Sequence, residues 1–240
     1  MKKILLVVLL CLYGRMTLAQ QEKKVLIYAK IGGYAHASIP DGIKAVQKIG
    51  KENNFQTDTT SLSENFNEKN LSNYAAVIFI STSPGRFLEA AQKEAFAKYI
   101  RSGGGFVGIH GASAGIGPWP WYAKLVGGTF INHPEPKEGI LLNEDRAHKL
   151  TRHFPAQMLW KDEWYNFSDM EKDLRVLLSV DEASYVGGEY GSRHHPISWY
   201  HDYDGGRSFY TALGHFSYHF TDVFFVQHIT EGIKYAMGVN

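Results

Sequence analysis

Residues 103–112, Gly-Gly-Gly-Phe-Val-Gly-Ile-His-Gly-Ala, constrain the fold of this chain more than any other segment. A glycine run that ends a predicted helix is followed by a short apolar strand, which stops at His110 between small residues. In α/β enzymes, a Gly-x-nucleophile-x-Gly turn holds the nucleophile on a sharp strand-to-helix bend, where only small neighbours avoid a clash. The segment predicts such a bend, with His110 in place of serine or cysteine. The alternative interpretation is an ordinary turn with a packed histidine.

The first half of the chain alternates between predicted strands and helices. Continuous apolar runs, typical of strands buried on both faces, occur at 25–29, 75–80 and 106–110, and a more exposed strand at 55–59 belongs nearer an edge. Helices are predicted from a cap at Ser38, within 63–74, and up to a stop at Gly103. Repeated strand–helix units imply a parallel sheet with helices on both faces.

The second half is richer in His, Pro, Trp and charged residues. A helix is predicted at 119–126 and a closing helix around 225–236. Apolar runs typical of strands lie at 140–142, 176–180, 196–200 and 208–213. The sequence contains no internal repeat, low-complexity tract or linker, so one domain with a mixed but mostly parallel sheet fits better than two domains.

The first nineteen residues have the pattern of a signal peptide. Two lysines precede an apolar run at 4–12, and small residues lie before Gln20. We therefore expect residues 1–19 to be removed and residues 20–240 to form the mature domain, exported to the periplasm or the extracellular space. Cys11 follows the large Leu10, which disfavours a lipoprotein. Because Cys11 is the only cysteine, the mature chain has no disulfide and no thiolate nucleophile or ligand.

Charge and hydropathy exclude two classes of partner. The formal net charge is +1 at pH 7 and no basic stripe is present, so we do not expect nucleic acid binding. The N-terminal apolar run is shorter than the ~20 residues that span a bilayer, and no second such run follows. We therefore expect no integral membrane segment in the mature chain. A homo-oligomer is compatible with the sequence.

The side chains that follow the predicted parallel strands are the candidates for a site. In open α/β sheets, ligands bind beyond the carboxyl ends of the strands. These side chains are Tyr34, His36, Thr82, Ser83, His110 and, if the last strand is parallel to the others, His215. Four loops then converge, and three of their residues are histidines.

Three imidazoles in one cleft have two functional interpretations. One is acid–base catalysis near neutral pH. The other is a zinc site, in which a carboxylate from Asp162 or Glu163 joins the imidazoles; our candidate metal set is His36, His110, His215 and Asp162. No His-Glu-x-x-His motif is present in the sequence, so zinc is a possible cofactor and not a required one.

Several segments, in order along the chain, carry a resemblance to a known family. They are Tyr34-Ala35-His36-Ala37-Ser38-Ile39, residues 103–112, Gly127-Gly128-x-Phe130-x-x-His133-Pro134, Asp162-Glu163-x-Tyr165, Pro196-x-x-Trp199 and Gly206-Arg207-x-Phe209-Tyr210-x-x-Leu213-Gly214-His215. Together they resemble the trehalose-utilisation, or ThuA-like, family, and they cover nearly the whole mature chain.

This resemblance implies the fold of class I glutamine amidotransferases, a flavodoxin-like three-layer α/β sandwich with a mostly parallel central sheet. In that alignment His110 occupies the nucleophile position and His215 lies near the catalytic histidine position. Glutamine hydrolysis is therefore not expected, because the cysteine nucleophile is missing. The family name implies a carbohydrate substrate, such as a disaccharide or an oxidised (keto) sugar.

The leading hypothesis is an exported sugar-processing enzyme: a hydrolase, lyase or isomerase of a disaccharide or keto-glycoside. The candidate catalytic residues are His36, His110 and His215. The candidate substrate-binding residues are Tyr34, Trp119, His133, Glu163, Tyr165 and Trp199. The competing hypothesis is a non-catalytic sugar- or metal-binding module on a degenerate amidotransferase scaffold, which would bind a ligand without turnover.

Overall fold

Strands and helices alternate through the first half of the chain in the computed structural model, which describes residues 22–82, 88–114 and 119–239. The strands are β1 (Lys24–Tyr28), β2 (Gln56–Thr60), β3 (Ala76–Ile80) and β4 (Gly105–Ile109). The helices are α1 (Ile39–Glu52), α2 (Glu68–Leu71) and α3 (Ala90–Arg101). All four strands lie within one residue of their predicted bounds. The predicted signal peptide and Ser83 lie outside the described residues.

The second half contributes two helices and more strands than predicted. The helices are α4 (Pro120–Val126) and α5 (Val223–Ala236). The strands are β5 (Thr129–Asn132), β6 (Lys137–Asn143), β7 (Gln157–Asp162), β8 (Asn166–Ser168), β9 (Arg175–Asp181), β10 (His195–Tyr203) and β11 (Gly206–Thr211). Three of these strands, β5, β7 and β8, were not predicted from the sequence.

Nine of the described strands form one sheet, in the order β2-β1-β3-β4-β11-β10-β9-β6-β7. The pairs from β2 to β11 are parallel, whereas the four pairs from β11 to β7 are antiparallel. The expectation of a flavodoxin-like, mostly parallel sheet is therefore not confirmed, because half of the strand pairs in this sheet are antiparallel. As expected, β2 lies at an edge.

A tight hairpin changes the direction of the sheet. Asp204 and Gly205 connect β10 to β11, with φ values of 48° and 91°. Two consecutive positive φ values are typical of the type I′ turn, for which Asp-Gly is a preferred sequence. This turn forces β10 to pair antiparallel with β11.

Helices cover both faces of the parallel half. The ring of Phe106 lies 5.8 Å from that of Tyr122 in α4 and 6.3 Å from that of Phe96 in α3. A Cβ on the adjacent Gly105 would meet the backbone of Ala236 in α5 at 2.2 Å. Since successive strand residues point to opposite faces, α5 lies on the face opposite α3 and α4. In the described part of the chain, no helix has the length and apolar character needed to cross a bilayer.

Candidate functional site

His110 lies on the sharp bend that the sequence predicts at the end of β4. Its φ is +51°, in the left-handed region, and its side chain is fully buried. Such a backbone costs a non-glycine residue roughly 1–3 kcal/mol. A Cβ on Gly108 would lie 2.8 Å from Tyr210 Cδ2, and one on Gly111 would lie 3.2 Å from Ser81 Cα. The small neighbours of His110 are therefore required by the close approach of β11 and of the segment after β3.

Three histidines meet at one edge of the sheet. His36, His110 and His215 follow β1, β4 and β11, which run in the same direction. The ring centroids lie 4.7 Å apart for His36 and His110, 5.4 Å for His110 and His215, and 5.6 Å for His36 and His215. The loops also contact each other: Ser38 Oγ donates to the Gly214 carbonyl oxygen at 3.0 Å. Ser38 is the N-cap residue of α1, as predicted, but its side chain makes this bond in place of a capping hydrogen bond.

Glu163 reaches the histidines from β7, the edge strand opposite β2. Four successive antiparallel pairings return β7 to the direction of β11, so its carboxyl end lies at the same edge. Glu163 Oε2 lies 3.2 Å from both His110 Nε2 and His215 Nδ1, and 3.6 Å from His133 Nε2. Tyr165 places its hydroxyl 3.0 Å from His110 Nε2.

The small sheet of β5 and β8 positions two more side chains. His133 follows β5 and Tyr165 precedes β8. Their rings are stacked, with centroids 5.3 Å apart and planes inclined by 23°, and the ring of Phe130 in β5 lies 4.5 Å from that of Tyr165. Pairing of β5 with β8 therefore places His133 and Tyr165 side by side.

The arrangement of donors fits a divalent metal. His36, His110, His215 and Glu163 each offer one ligand atom, and these four atoms lie within 4.8 Å of one another. His110 Nε2 is 3.1 Å from His36 Nε2 and 3.2 Å from Glu163 Oε2. Tetrahedral zinc with bonds of about 2.0 Å holds its ligand atoms about 3.3 Å apart. The residues present therefore fit a zinc ion.

Buried atoms without hydrogen-bond partners support this fit. Glu163 Oε2 and His215 Nδ1 are buried without a hydrogen bond, as is His36 Nδ1. Buried polar atoms normally have partners. The fourth ligand atom belongs to Glu163, not to Asp162 as in the predicted set, because the Asp162 carboxylate accepts backbone N–H groups instead.

Burial and neighbouring charge set the ionisation of the cluster. Burial and then the nearby His110 lower the pKa of His36 to about 3, so its ring is neutral at pH 7. Burial would raise the pKa of Glu163, but His110 and His215 outweigh burial and hold it below its ordinary value. Burial would lower the pKa of His215, but Glu163 raises it above its ordinary value. Burial, with Tyr210 and Glu163 adding to it, raises the pKa of Tyr165 far above its ordinary value.

A cavity of about 460 Å³ opens over the cluster. His36, Glu163 and His215 lie at its wall with the predicted binding residues Tyr34, His133 and Tyr165. Its other lining residues, which the sequence analysis did not select, are Phe130, Glu135, Pro136, Gly111 and Ala114. Glu135 and Pro136 directly follow His133-Pro134, so proximity in sequence was the available signal.

The two predicted tryptophans lie away from this cavity. Trp199 is fully buried in β10, where its Nε1 donates to the Val126 carbonyl oxygen at 2.7 Å. Trp119 stacks on Trp121 and Tyr122 at 5.0 and 5.8 Å. Neither is placed to stack on a sugar in this cavity, because packing with α4 occupies both rings. Thr82 is also fully buried and does not line the cavity.

Comparisons with known proteins agree with the fold. The profile of the trehalose-utilisation family, ThuA, matches residues 24–236. A ThuA-like protein from Bacteroides uniformis is 25% identical, with a TM-score of 0.74 and coverage of 89% of this chain and 91% of that chain. A ThuA-like protein from Parabacteroides merdae is 19% identical, with a TM-score of 0.71 and 91% coverage of both chains.

A more distant likeness extends to part of a larger enzyme. A beta-galactosidase from Bacillus circulans is 17% identical, with a TM-score of 0.57, and the match covers 91% of this chain and 32% of that chain. This likeness concerns the fold alone. A search of curated proteins finds no match. Because the family profile spans almost all of the described residues, the chain belongs to the trehalose-utilisation (ThuA) family.

Proposed function

We propose that this protein is an exported, metal-dependent enzyme that acts on a keto-glycoside or a related disaccharide derivative. The convergence of His36, His110, His215 and Glu163, of which all but the fully buried His110 line one cavity, carries the proposal. The cavity volume of about 460 Å³ lies in the range of small-molecule sites, about 300–1,000 Å³. Membership of the trehalose-utilisation family supports a carbohydrate substrate, and the pattern of residues 1–19 supports export.

The surroundings of His133 and Tyr165 prepare these two side chains for proton transfer and hydrogen bonding. His133 Nδ1 lies 2.9 Å from the Pro134 carbonyl oxygen, which can only accept, so in the neutral ring Nε2 carries the lone pair. His133 is suited to act as a general base at a substrate carbon or hydroxyl. The Tyr165 hydroxyl stays protonated because its pKa is raised, so it is suited to donate a hydrogen bond to a substrate oxygen.

This pair favours proton abstraction next to a carbonyl group, as in a lyase or an isomerase of a keto-sugar. A zinc ion held by these four side chains would polarise the carbonyl as a Lewis acid only by accepting its oxygen as a fifth ligand. A glycosidase of the two-carboxylate kind needs one carboxyl group to be protonated as the acid. Glu163 does not meet that need, because its histidine neighbours favour the ionised form.

Turnover by the mature protein tests the proposal. Purified residues 20–240 would be incubated with disaccharides and with their keto forms, before and after removal of metal by a chelator and re-addition of zinc. We expect conversion of a keto-glycoside that is lost on chelation and restored by zinc. Binding of the same sugar without turnover would contradict the enzyme proposal and favour the sugar-binding module.

A further inference from the structure

Asp162 lies next to the proposed ligand Glu163, but its carboxylate has a different set of contacts. It is the last residue of β7 and is fully buried. Oδ1 accepts the backbone N–H of Glu163 at 2.9 Å and that of His215 at 3.2 Å. Oδ2 accepts the backbone N–H of Gly214 at 3.0 Å and the indole N–H of Trp160 at 3.3 Å. One carboxylate therefore connects the end of β7 to the loop after β11.

The backbone conformation after β11 directs these N–H donors toward the Asp162 carboxylate. Gly214 has a φ of +117°, a backbone that other residues rarely adopt, and its N–H and that of His215 point to the same carboxylate. His219 Nδ1 lies 3.3 Å from Oδ2 on another side of the group. A buried charge is tolerated when it is hydrogen-bonded in this way, and successive N–H groups of this kind form an anion-binding nest.

Asp162 accepts the backbone N–H groups of three residues, and two of these, Glu163 and His215, have side chains that meet at the site. His215 Nδ1 and Glu163 Oε2 lie 3.2 Å apart. Ser38 ties the same Gly214 to the loop of His36, so the position of this segment affects the spacing of the ligand atoms. Outer groups that orient ligands change metal affinity by about 10- to 100-fold when they are mutated.

We propose that Asp162 is a positioning residue that sets the separation of His215 and Glu163 for metal binding, without being a ligand itself. The inference rests on the metal site of the proposed function. It assigns opposite roles to two adjacent carboxylates: Glu163 binds the metal, and Asp162 fixes the backbone that carries Glu163 and His215.

The substitution Asp162→Asn tests this role. The amide keeps the size of the side chain but offers one acceptor oxygen and places an NH₂ group against N–H donors. We expect the Kd for zinc, measured by competition with a chromophoric chelator, to rise about 10- to 100-fold. The visible absorption spectrum of bound Co²⁺ should change as well, because it reports ligand geometry. Both are measured on folded protein, so a purely structural role would change only the melting temperature.

A matched control is Asp222→Asn. Asp222 Oδ1 also accepts two backbone N–H groups, those of Phe224 and Phe225 at 2.9 and 3.1 Å, at the start of α5. This variant makes the same change of carboxylate to amide outside the site, so it should keep the wild-type zinc affinity and Co²⁺ spectrum. If Asp162→Asn does not fold, Asp162→Glu keeps the charge but displaces the carboxylate, and it should also bind zinc more weakly than the wild type.

Three outcomes separate the possible failures. The positioning role would be overturned, with the metal site intact, if Asp162→Asn kept the wild-type zinc affinity and Co²⁺ spectrum. If only Asp162→Glu folds, wild-type zinc affinity in that variant would have the same meaning. Absence of zinc binding by the wild type would overturn the metal site and the positioning role together. Weaker binding in Asp222→Asn to the same extent as in Asp162→Asn would show a general effect of replacing a backbone-bonded carboxylate by an amide and would also contradict the proposal.

Discussion

The Nδ1 atom of His110 lies 2.7 Å from the carbonyl oxygen of Ala212, just after β11. Because a carbonyl oxygen can only accept, Nδ1 carries the hydrogen, and the lone pair of the neutral ring is on Nε2. This nitrogen lies within 3.2 Å of His36 Nε2, Tyr165 Oη and Glu163 Oε2. The contact with Ala212 thus orients His110 as a ligand.

His110→Asn should remove this ligand with little change to the bend. Asparagine tolerates the left-handed backbone better than most residues, but it offers no nitrogen at the position of Nε2. We expect zinc affinity to fall and turnover of the keto-glycoside to fall by about 100-fold or more. His201→Gln is a control, since His201 is a buried histidine whose Nε2 lies 3.0 Å from the Leu125 carbonyl oxygen outside the site. Full turnover in His110→Asn would place catalysis elsewhere.

Tyr165→Phe should separate catalysis from metal binding. It removes only the hydroxyl that lies 3.0 Å from His110 Nε2. We expect turnover to fall about 100-fold, with zinc affinity unchanged in a chelator competition. Tyr99→Phe removes a buried hydroxyl that donates to the Gly105 carbonyl oxygen, away from the cavity, and should leave both quantities unchanged. Equal turnover in the two variants would contradict the role of Tyr165.

Gly108→Ala should destabilise the fold through steric conflict. A Cβ at this position would lie 2.8 Å from Tyr210 Cδ2 and 3.2 Å from Phe106 Cε1. Overpacking of this kind costs about 1–3 kcal/mol of the free energy of unfolding, measurable by urea titration. At Gly128 a Cβ would meet its nearest atom at 3.4 Å, an ordinary contact, so Gly128→Ala should have a smaller effect. Equal losses of stability in the two variants would show that the backbone near the bend can relax to accept the added methyl group.

The stability of the fold should fall in acid because of His228. Burial lowers the pKa of His228 to about 3, and its Nδ1 lies 2.8 Å from the Leu150 carbonyl oxygen. Below the ordinary histidine pKa of about 6.5, the unfolded chain takes up a proton that the folded chain does not. The contribution of His228 to the free energy of unfolding is therefore complete above that pH and declines until the pH reaches about 3.

Urea titrations of the wild type and His228→Gln at two pH values measure this effect. Between pH 7 and pH 5, His228 should account for a loss of about 2 kcal/mol. The loss should be smaller by that amount in His228→Gln, whatever its stability at pH 7. The same pH dependence in both proteins would mean that His228 takes up its proton in the folded state.

The sequence predicts the local features of this fold well and the pairing of the second half poorly. The bend at His110 depends on a few adjacent residues, so its pattern is visible in the chain. The antiparallel half depends on the hairpin at Asp204-Gly205 and on β7, an edge strand whose outer positions Gln157, Leu159 and Lys161 are exposed. The apolar run of this strand is only three residues long, Met158 to Trp160, and is flanked by polar residues, so hydropathy gives it a weak signal.

The candidate site was also predictable only in part. His36, His110 and His215 could be brought together because parallel strands end at one edge. The choice between Asp162 and Glu163 could not be made, because successive residues of a strand point to opposite sides and the register of β7 decides which one faces the histidines. The direction of the Trp199 side chain could not be predicted for a similar reason: it was a candidate for substrate binding, but it points into the packing against α4.

Zinc binding by the metal-free mature protein tests the central claim most directly. Titration calorimetry, with a chelator competition for tight binding, would compare the wild type with Glu163→Gln, which preserves the size of the side chain but removes its charge. We predict one high-affinity zinc site per wild-type chain and markedly weaker binding in Glu163→Gln. Absence of a zinc site in the wild type, or the same affinity in both proteins, would contradict a metal centre built from His36, His110, His215 and Glu163.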